Sequence, residues 1–329
     1  MNENKSVRVG DPHVQISNLI ESEKLINFVI EVAEKYNILT IEFLGDLFNN
    51  HAVKRIEVED FWYKSFKKIL SKNMKIRVIT GNHDCCGNKE NELKMNALNV
   101  FETLSSNLIV INKPVIINNI AYAPYTSNKD LFIKWSKELY DKGAKKTLIA
   151  HQTFTGSKYD NGFFADDGID PELISQENII SAHIHKSQQI GKCFYVGSPK
   201  WDSVDEANQP KGIWIYDHNE DGSIISKEFI STENITTPIY KIVIREGEAE
   251  PNLNLNARNY LEFHGKTEWI NLMKKKYKGK ASIKGVPIDR RTKNIDNNYS
   301  LKDYLTNQFV PISGINKEQI MQYLGELNV

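Results

Sequence analysis

The chain has 329 residues, with 42 Lys and Arg against 42 Asp and Glu, so its bulk charge favours neither an anionic nor a cationic partner. Three cysteines are too few for a disulfide framework, the amino-terminal segment lacks the apolar core of a secretion signal, and no apolar run reaches the roughly 20 residues of a membrane span. A soluble protein of the reducing cytoplasm is expected, large enough for one main domain and a smaller one.

In chain order, Ser6 to Val9 reads as a first strand, followed by a ligand-bearing loop and a helix from Leu19 to Tyr36 with apolar residues at helical spacing. The same unit repeats twice, with a strand at Leu39 to Leu44 and a helix from Val58 to Leu70, then a strand at Lys75 to Thr80 and a helix from Glu90 to Leu104. Three such units imply a mostly parallel sheet with crossover connections. Leu108 to Ala123 is β-rich, Asp130 to Tyr140 helical, and Lys146 to Ala150 a strand ending at His151. Gln152 to Gln176 reads as a long active-site loop, and Asn178 to Ala182 as a strand ending at His183. Short strands near Cys193 to Val196, Gly212 to Asp217 and Ile224 to Ile230 suggest a second, antiparallel or mixed sheet.

The polar stretch Ser231 to Pro238 marks a boundary, giving a catalytic domain over 1–231 and a small α+β domain over 232–329. In the latter, strands are expected at Ile239 to Ile244, Tyr260 to Phe263 and Ala281 to Val286, and helices at Lys266 to Tyr277 and Ile315 to Leu327. Lys266 to Lys293 holds ten basic residues against two acidic ones, a local charge of +8 in a neutral chain. Lys274 to Lys280 with Arg290, Arg291 and Lys293 could follow a phosphate backbone, with Trp269, Tyr277 and Tyr299 near enough to stack or buttress.

Six of the eight histidines fall in or beside five short segments: Gly10 to His13, Gly45-Asp46, Gly81 to Asp84, Ala150-His151 and Ala182 to His185. Each segment alone is commonly a surface turn or a satisfied core histidine; all five at strand ends point to a dinuclear metal centre. Two metals need a bridging carboxylate and a mixed oxygen and nitrogen shell. Asp46 is the natural bridge, since the preceding glycine lets the backbone approach closely. Asp11 and His13, and likewise His183 and His185, are two apart, which in extended backbone presents both ligands on one side. Asn82 offers an amide oxygen, His83 is free to donate a proton, and Asp84 is placed to fix its tautomer. Such donors suit Mn²⁺, Fe²⁺, Mg²⁺ or Zn²⁺.

This ordered set resembles the calcineurin-like metallophosphoesterase superfamily over roughly Val7 to Ile230. The resemblance implies a four-layer αββα sandwich of two packed mixed β-sheets flanked by helices. It implies one metal held by Asp11, His13, Asp46 and His185, a second by Asp46, Asn82, His151 and His183, and His83 as general acid. Ala182 stands where the superfamily carries a glycine. Within it, Tyr195, Gly197, Ser198, Pro199, Glu206, Lys211 and Gly212 are similar to a segment of the SbcD and Mre-type DNA-repair nucleases and of bacteriophage recombination nuclease subunits.

That likeness implies a DNA exonuclease or endonuclease with two divalent ions, most readily Mn²⁺. A metal-bridging hydroxide would attack phosphorus while His83 protonates the departing oxygen. It further implies a small capping domain at the carboxyl end, a homodimer, an SbcC/Rad-type ABC ATPase partner, and work in the cytoplasm of a bacterial or phage-infected cell. Some relatives carry a second histidine three residues past the aspartate of the GD motif; Asn49 occupies that position here and His51 lies two further on. The alternatives are a phosphatase or small-molecule phosphodiesterase, and a non-catalytic scaffold on the same fold. Cys85 and Cys86 are expected to pack in their turn, and the loop with Tyr159, Phe163, Phe164, Asp166 and Asp167 either gates substrate or covers a sheet edge.

Overall fold

The structure, a computed structural model, describes residues 4–89 and 95–288. In chain order its strands and helices are β1 (Lys5–Val9), α1 (Leu19–Lys35), β2 (Thr40–Phe43), α2 (Ile56–Ser71), β3 (Lys75–Ile79), β4 (Leu108–Ile111), β5 (Val115–Ile117), β6 (Ile120–Ala123), α3 (Lys129–Asp141), β7 (Thr147–His151) and β8 (Asn178–Ala182). There follow β9 (Gln188–Ile190), β10 (Cys193–Tyr195), β11 (Gly212–His218), β12 (Ile224–Ser231), β13 (Ile239–Arg245), β14 (Arg258–Gly265), α4 (Thr267–Tyr277) and β15 (Ser282–Pro287).

Two six-stranded sheets carry the large unit, in the orders β12-β11-β1-β2-β3-β4 and β5-β6-β7-β8-β10-β9. Within the first sheet β1 to β4 run parallel, because α1, α2 and the 84–107 connection each return the chain to the same end, whereas β11 and β12 join antiparallel at the edge. Sequential strands β6, β7 and β8 are likewise parallel in the second sheet. Both sheets are mixed, as the superfamily resemblance implies. β11 and β12, however, extend the first sheet, and β9, a three-residue strand absent from the sequence reading, closes the edge of the second.

Three apolar layers separate the four structural layers. One lies between the first sheet and helices α1 and α2, with Val29, Trp62 and Phe66 buried against Ile41 and Phe43. Another joins α3, through Phe132 and Leu139, to the second sheet. The third lies between the sheets and unites Leu44, Ile79 and Tyr216 with Tyr122, Ile149, Ile180 and Val196. β7, buried on both faces, reads as a continuous apolar run, whereas β2 alternates Ile41 and Phe43 with Thr40 and Glu42, and β3 alternates Ile76 and Val78 with Lys75 and Arg77.

A polar cluster interrupts this packing. Glu42 on β2 accepts from Arg8 Nε at 2.7 Å, Arg77 Nη1 at 2.9 Å and the Tyr122 hydroxyl at 2.5 Å, so a carboxylate from one sheet is tied to a phenol from the other. Burial opposes its charge, but Arg8 and Arg77 hold the carboxyl far below the ordinary carboxylate range.

The third α-helix expected from Glu90 is replaced, among the described residues, by a 3₁₀ segment at Asn99–Leu104. The reason is local. Cys86 N–H donates to Met95 O and Ala97 N–H to Asp84 O, tethering residues 95–97 to the GNHD turn, and Asn96 Oδ1 caps the amides of Leu98 and Asn99.

The chain divides into two compact units, Met1–Ile242 with Asn252–Tyr260, and Val243–Pro251 with Leu261–Val329. In the smaller, α4 packs beside β15, and Phe263 meets the rings of Trp269 and Tyr277 at 5.5 and 5.8 Å. Trp269 and Tyr277 thus buttress their own unit through Phe263. The expected helix Ile315 to Leu327, together with Arg290, Arg291, Lys293 and Tyr299, lies outside the described residues. Among the described residues no helix is long and apolar enough to cross a membrane.

Glu42→Ala should lower unfolding free energy by about 3–5 kcal/mol in urea titration, because it strands two buried guanidinium groups. A loss below about 1 kcal/mol would show that the cluster adds little.

Candidate metal centre

Four ligand segments follow the strands β1, β2, β3 and β8, the fifth, Ala150-His151, ends β7, and the two sheets bring all five to one place. Alternation along an extended strand does not explain the convergence. Asp11, His13, Asp46 and His183 have φ of 40°, 39°, 52° and 87°, in the left-handed region that non-glycine residues seldom adopt. After β1, β2 and β8 the backbone coils and turns these side chains inward, a strain tolerated where the surrounding fold over-determines it. This corrects the same-side reading of Asp11/His13 and His183/His185 while keeping all four residues in the site.

Two glycines make the approach possible. A Cβ on Gly45, whose φ is +107°, would lie 2.3 Å from His151 Nδ1, and one on Gly81 would lie 2.2 Å from Asp46 Oδ1.

His151 Nδ1 donates to Leu44 O at 2.8 Å, which turns Nε2 toward Asn82 Oδ1 at 3.2 Å, His183 Nδ1 at 3.1 Å and Asp46 Oδ2 at 3.2 Å. Four nitrogen and oxygen atoms able to ligate a cation thus crowd around one point. Alongside, Asp11, His13 and His185 offer ligand atoms within 4.8 Å of one another, with the Nε2 atoms of His13 and His185 3.0 Å apart. Asp46 Oδ2 lies 3.6 Å from His13 Nε2, so the one carboxylate borders both groups, while its Oδ1 accepts from His83 N–H at 2.8 Å. His13 Nδ1 is buried without a hydrogen-bond partner among the described residues. This donor set, oxygen and imidazole around a shared carboxylate, fits two divalent cations.

The electrostatics agree. Burial opposes charge on His151, yet the Asp46 carboxylate overrides it and raises the imidazole to about 9. Burial and the adjacent His151 push His183 down to about 3. Asp11 is raised by burial to about 6 despite His151 and His185. The pocket therefore favours positive charge but cannot protonate all its imidazoles at once.

Asp84 does not orient His83. Its carboxylate accepts four main-chain amides: Asp46 N–H at 2.9 Å, Leu47 at 2.8 Å, Phe48 at 3.2 Å and Gly81 at 2.9 Å. A side chain so committed is a clamp between the turns after β2 and β3. The partner of His83 Nδ1 is instead the carbonyl of Asn49, at 2.6 Å. His51 Nδ1 meets Asn82 O at 2.9 Å, and its ring lies 4.1 Å from that of His83. Cys85 is buried and bonds Gly81 O through Sγ, in keeping with a packing role, while Cys86 is exposed.

Glu206 belongs to the site although the motifs pointed to it only through resemblance. Its Oε1 meets His185 Nδ1 at 3.1 Å and its Oε2 the buried Lys211 ammonium at 2.7 Å, and Lys211 also donates to His185 O at 3.0 Å. The pair therefore grips His185 by ring and main chain. Burial opposes the Glu206 charge, but His185 and Lys211 bring its carboxyl down to about 2. Of the loop, Asp160 comes near His185 and Glu206, and its carboxylate accepts from Gln209 Nε2 at 3.0 Å. Phe163 and Phe164 are exposed.

Glu206→Gln should weaken Mn²⁺ binding about 10- to 100-fold by calorimetry, since partners that orient a ligating histidine carry that weight. Unchanged affinity would reduce Glu206 to a packing residue. Asp84→Ala should cost about 3 kcal/mol or more of stability in denaturant titration, because four buried amides lose their acceptor. A loss within about 1 kcal/mol would contradict the clamp.

Residues 7–187, more than half of the chain, match the family described as calcineurin-like phosphoesterase. The chain belongs to that family. It is also similar to exonuclease subunit 1 of Enterobacteria phage T4, at 21% identity over 202 residues that cover 58% of this chain and 57% of that protein. The chain thus spans little more than half the length of this relative.

Proposed function

We propose that this calcineurin-like phosphoesterase is a dinuclear metal-dependent nuclease that hydrolyses DNA phosphodiesters. The observation that carries the reading is the pair of ligand groups sharing Asp46, with His83 at their edge. Asp11, His13, Asp46 and His185 would hold one cation, and Asp46, Asn82, His151 and His183 the other. Bound there, the two ions would supply Lewis acidity to a phosphoryl oxygen and acidify a water molecule.

The remaining work falls to the chain. The His83 Nδ1 proton is donated to the Asn49 carbonyl, so Nε2 is the atom that exchanges protons. Burial holds the His83 pKa below its ordinary value, which makes its imidazolium a readier donor to a departing oxygen. Its main-chain N–H, bonded to Asp46 Oδ1, ties the position of the acid to that of the shared carboxylate.

DNA as substrate is supported by the similarity to a phage exonuclease subunit and by Lys274, Lys275 and Lys276 in the last turn of α4, within an expected phosphate-tracking segment. The same similarity supports a subunit role. We therefore include an ATPase partner of the ABC type, a homodimer, a capping role for the segment after Ser231, Mn²⁺ as the working ion and action in the cytoplasm in the proposal.

The test is hydrolysis of end-labelled single- and double-stranded DNA in Mn²⁺, compared with bis-p-nitrophenyl phosphate and nucleotides. Cleavage of DNA, abolished by chelator, is expected; turnover of nucleotides or phosphomonoesters alone would overturn the DNA assignment. Asp46→Ala should remove metal binding and turnover together. His83→Ala should retain metal while lowering kcat about 10²- to 10⁴-fold, the usual range for loss of a general acid. A variant lacking His83 that cleaves DNA at the original rate would refute its role.

A further inference from the structure

A cavity of about 380 Å³ is lined, among others, by Gln15, Ile16, Phe48, Asn49, Val53 and Lys54. Two of these residues touch His83 directly: the Asn49 carbonyl meets its Nδ1 at 2.6 Å, and Lys54 Nζ donates to its main-chain oxygen at 2.6 Å. Ile16 and Val53 are 46% and 68% exposed, so the cavity offers apolar walls to solvent at a place where the site is otherwise polar. Phe48 is buried, with the Lys54 ammonium 4.9 Å from its ring centroid.

The polar edge is specific. Asn49 Nδ2 donates to Gln15 Oε1 at 3.2 Å. Two primary amides joined by one hydrogen bond leave one carbonyl oxygen and one NH₂ group available, an acceptor beside a donor. That is the complement of the hydrogen-bonding edge of a nucleobase. Apolar walls with a few convergent polar groups, in a volume within the roughly 300–1,000 Å³ of small-ligand sites, suit a flat heterocycle.

We infer that this cavity receives the base of the nucleotide on the leaving-group side of the scissile phosphate, an inference that rests on the nuclease reading above. The leaving oxygen takes its proton from His83, so the nucleoside attached to that oxygen lies on the His83 side, next to the cavity. A base whose edge is read by Asn49 and Gln15 is not paired to a complementary strand. The subsite therefore selects single strands or frayed ends on its leaving-group side.

The experiment compares wild type with Val53→Trp, which fills the cavity from an exposed position, on single-stranded DNA and on bis-p-nitrophenyl phosphate in Mn²⁺. The ratio of kcat/KM for DNA to that for the nucleobase-free ester should fall about tenfold in the variant, mainly through KM, the scale expected when an apolar pocket is spoiled. An oligonucleotide with an abasic residue on the leaving-group side should show a similar loss with wild type and little further loss with the variant. An unchanged ratio, or an abasic oligonucleotide cleaved as fast as the intact one, would overturn the subsite. Wild type that hydrolyses the ester but no DNA would instead overturn the nuclease reading on which it rests.

Discussion

One buried carboxylate, that of Asp84, receives four main-chain amides from two turns and fixes both with respect to each other. The turn after β2 carries Asp46 and the turn after β3 carries Asn82 and His83, so the positions of all three are set by a single acceptor. The strain at Asp46 is held because its own amide is one of the four.

Around that clamp, the site is an arrangement of nitrogen and oxygen donors that the fold brings together. Leu44 O uses the Nδ1 proton of His151, and Glu206 occupies Nδ1 of His185, so each ring presents Nε2 inward. Asp11 accepts the His183 amide through both oxygens, at 2.9 and 3.1 Å, linking the loop after β1 in one sheet to the loop after β8 in the other. The two sheets thus meet at the ligands, and apolar packing of Leu44, Ile79, Ile149 and Ala182 immediately behind them excludes water from the rear of the site. A divalent cation bound there would give these donors one centre to share.

Much of this was legible in the chain. The strands that lead to the site are short and end in, or are followed within two residues by, glycine or histidine, and all seven expected ligands come together. What sequence could not supply was the reason for their convergence, since φ at Asp11 or His13 is a tertiary outcome. The role of Asp84 was misread because adjacency to His83 suggests a contact, whereas its side chain points back to the β2 turn. Glu206 stands 21 residues from the ring it orients, beyond any local pattern, and Asn49 acts through its backbone, which residue type does not reveal. The edge placement of β11 and β12 escaped for a related reason: alternation announces a strand but does not say which sheet it joins.

Anomalous diffraction from crystals grown in Mn²⁺ tests the central claim most directly. The account predicts two peaks per chain, one within coordination distance of Asp11, His13 and His185, the other of Asn82, His151 and His183, with Asp46 contacting both. A single peak, or none at saturating Mn²⁺, would contradict it.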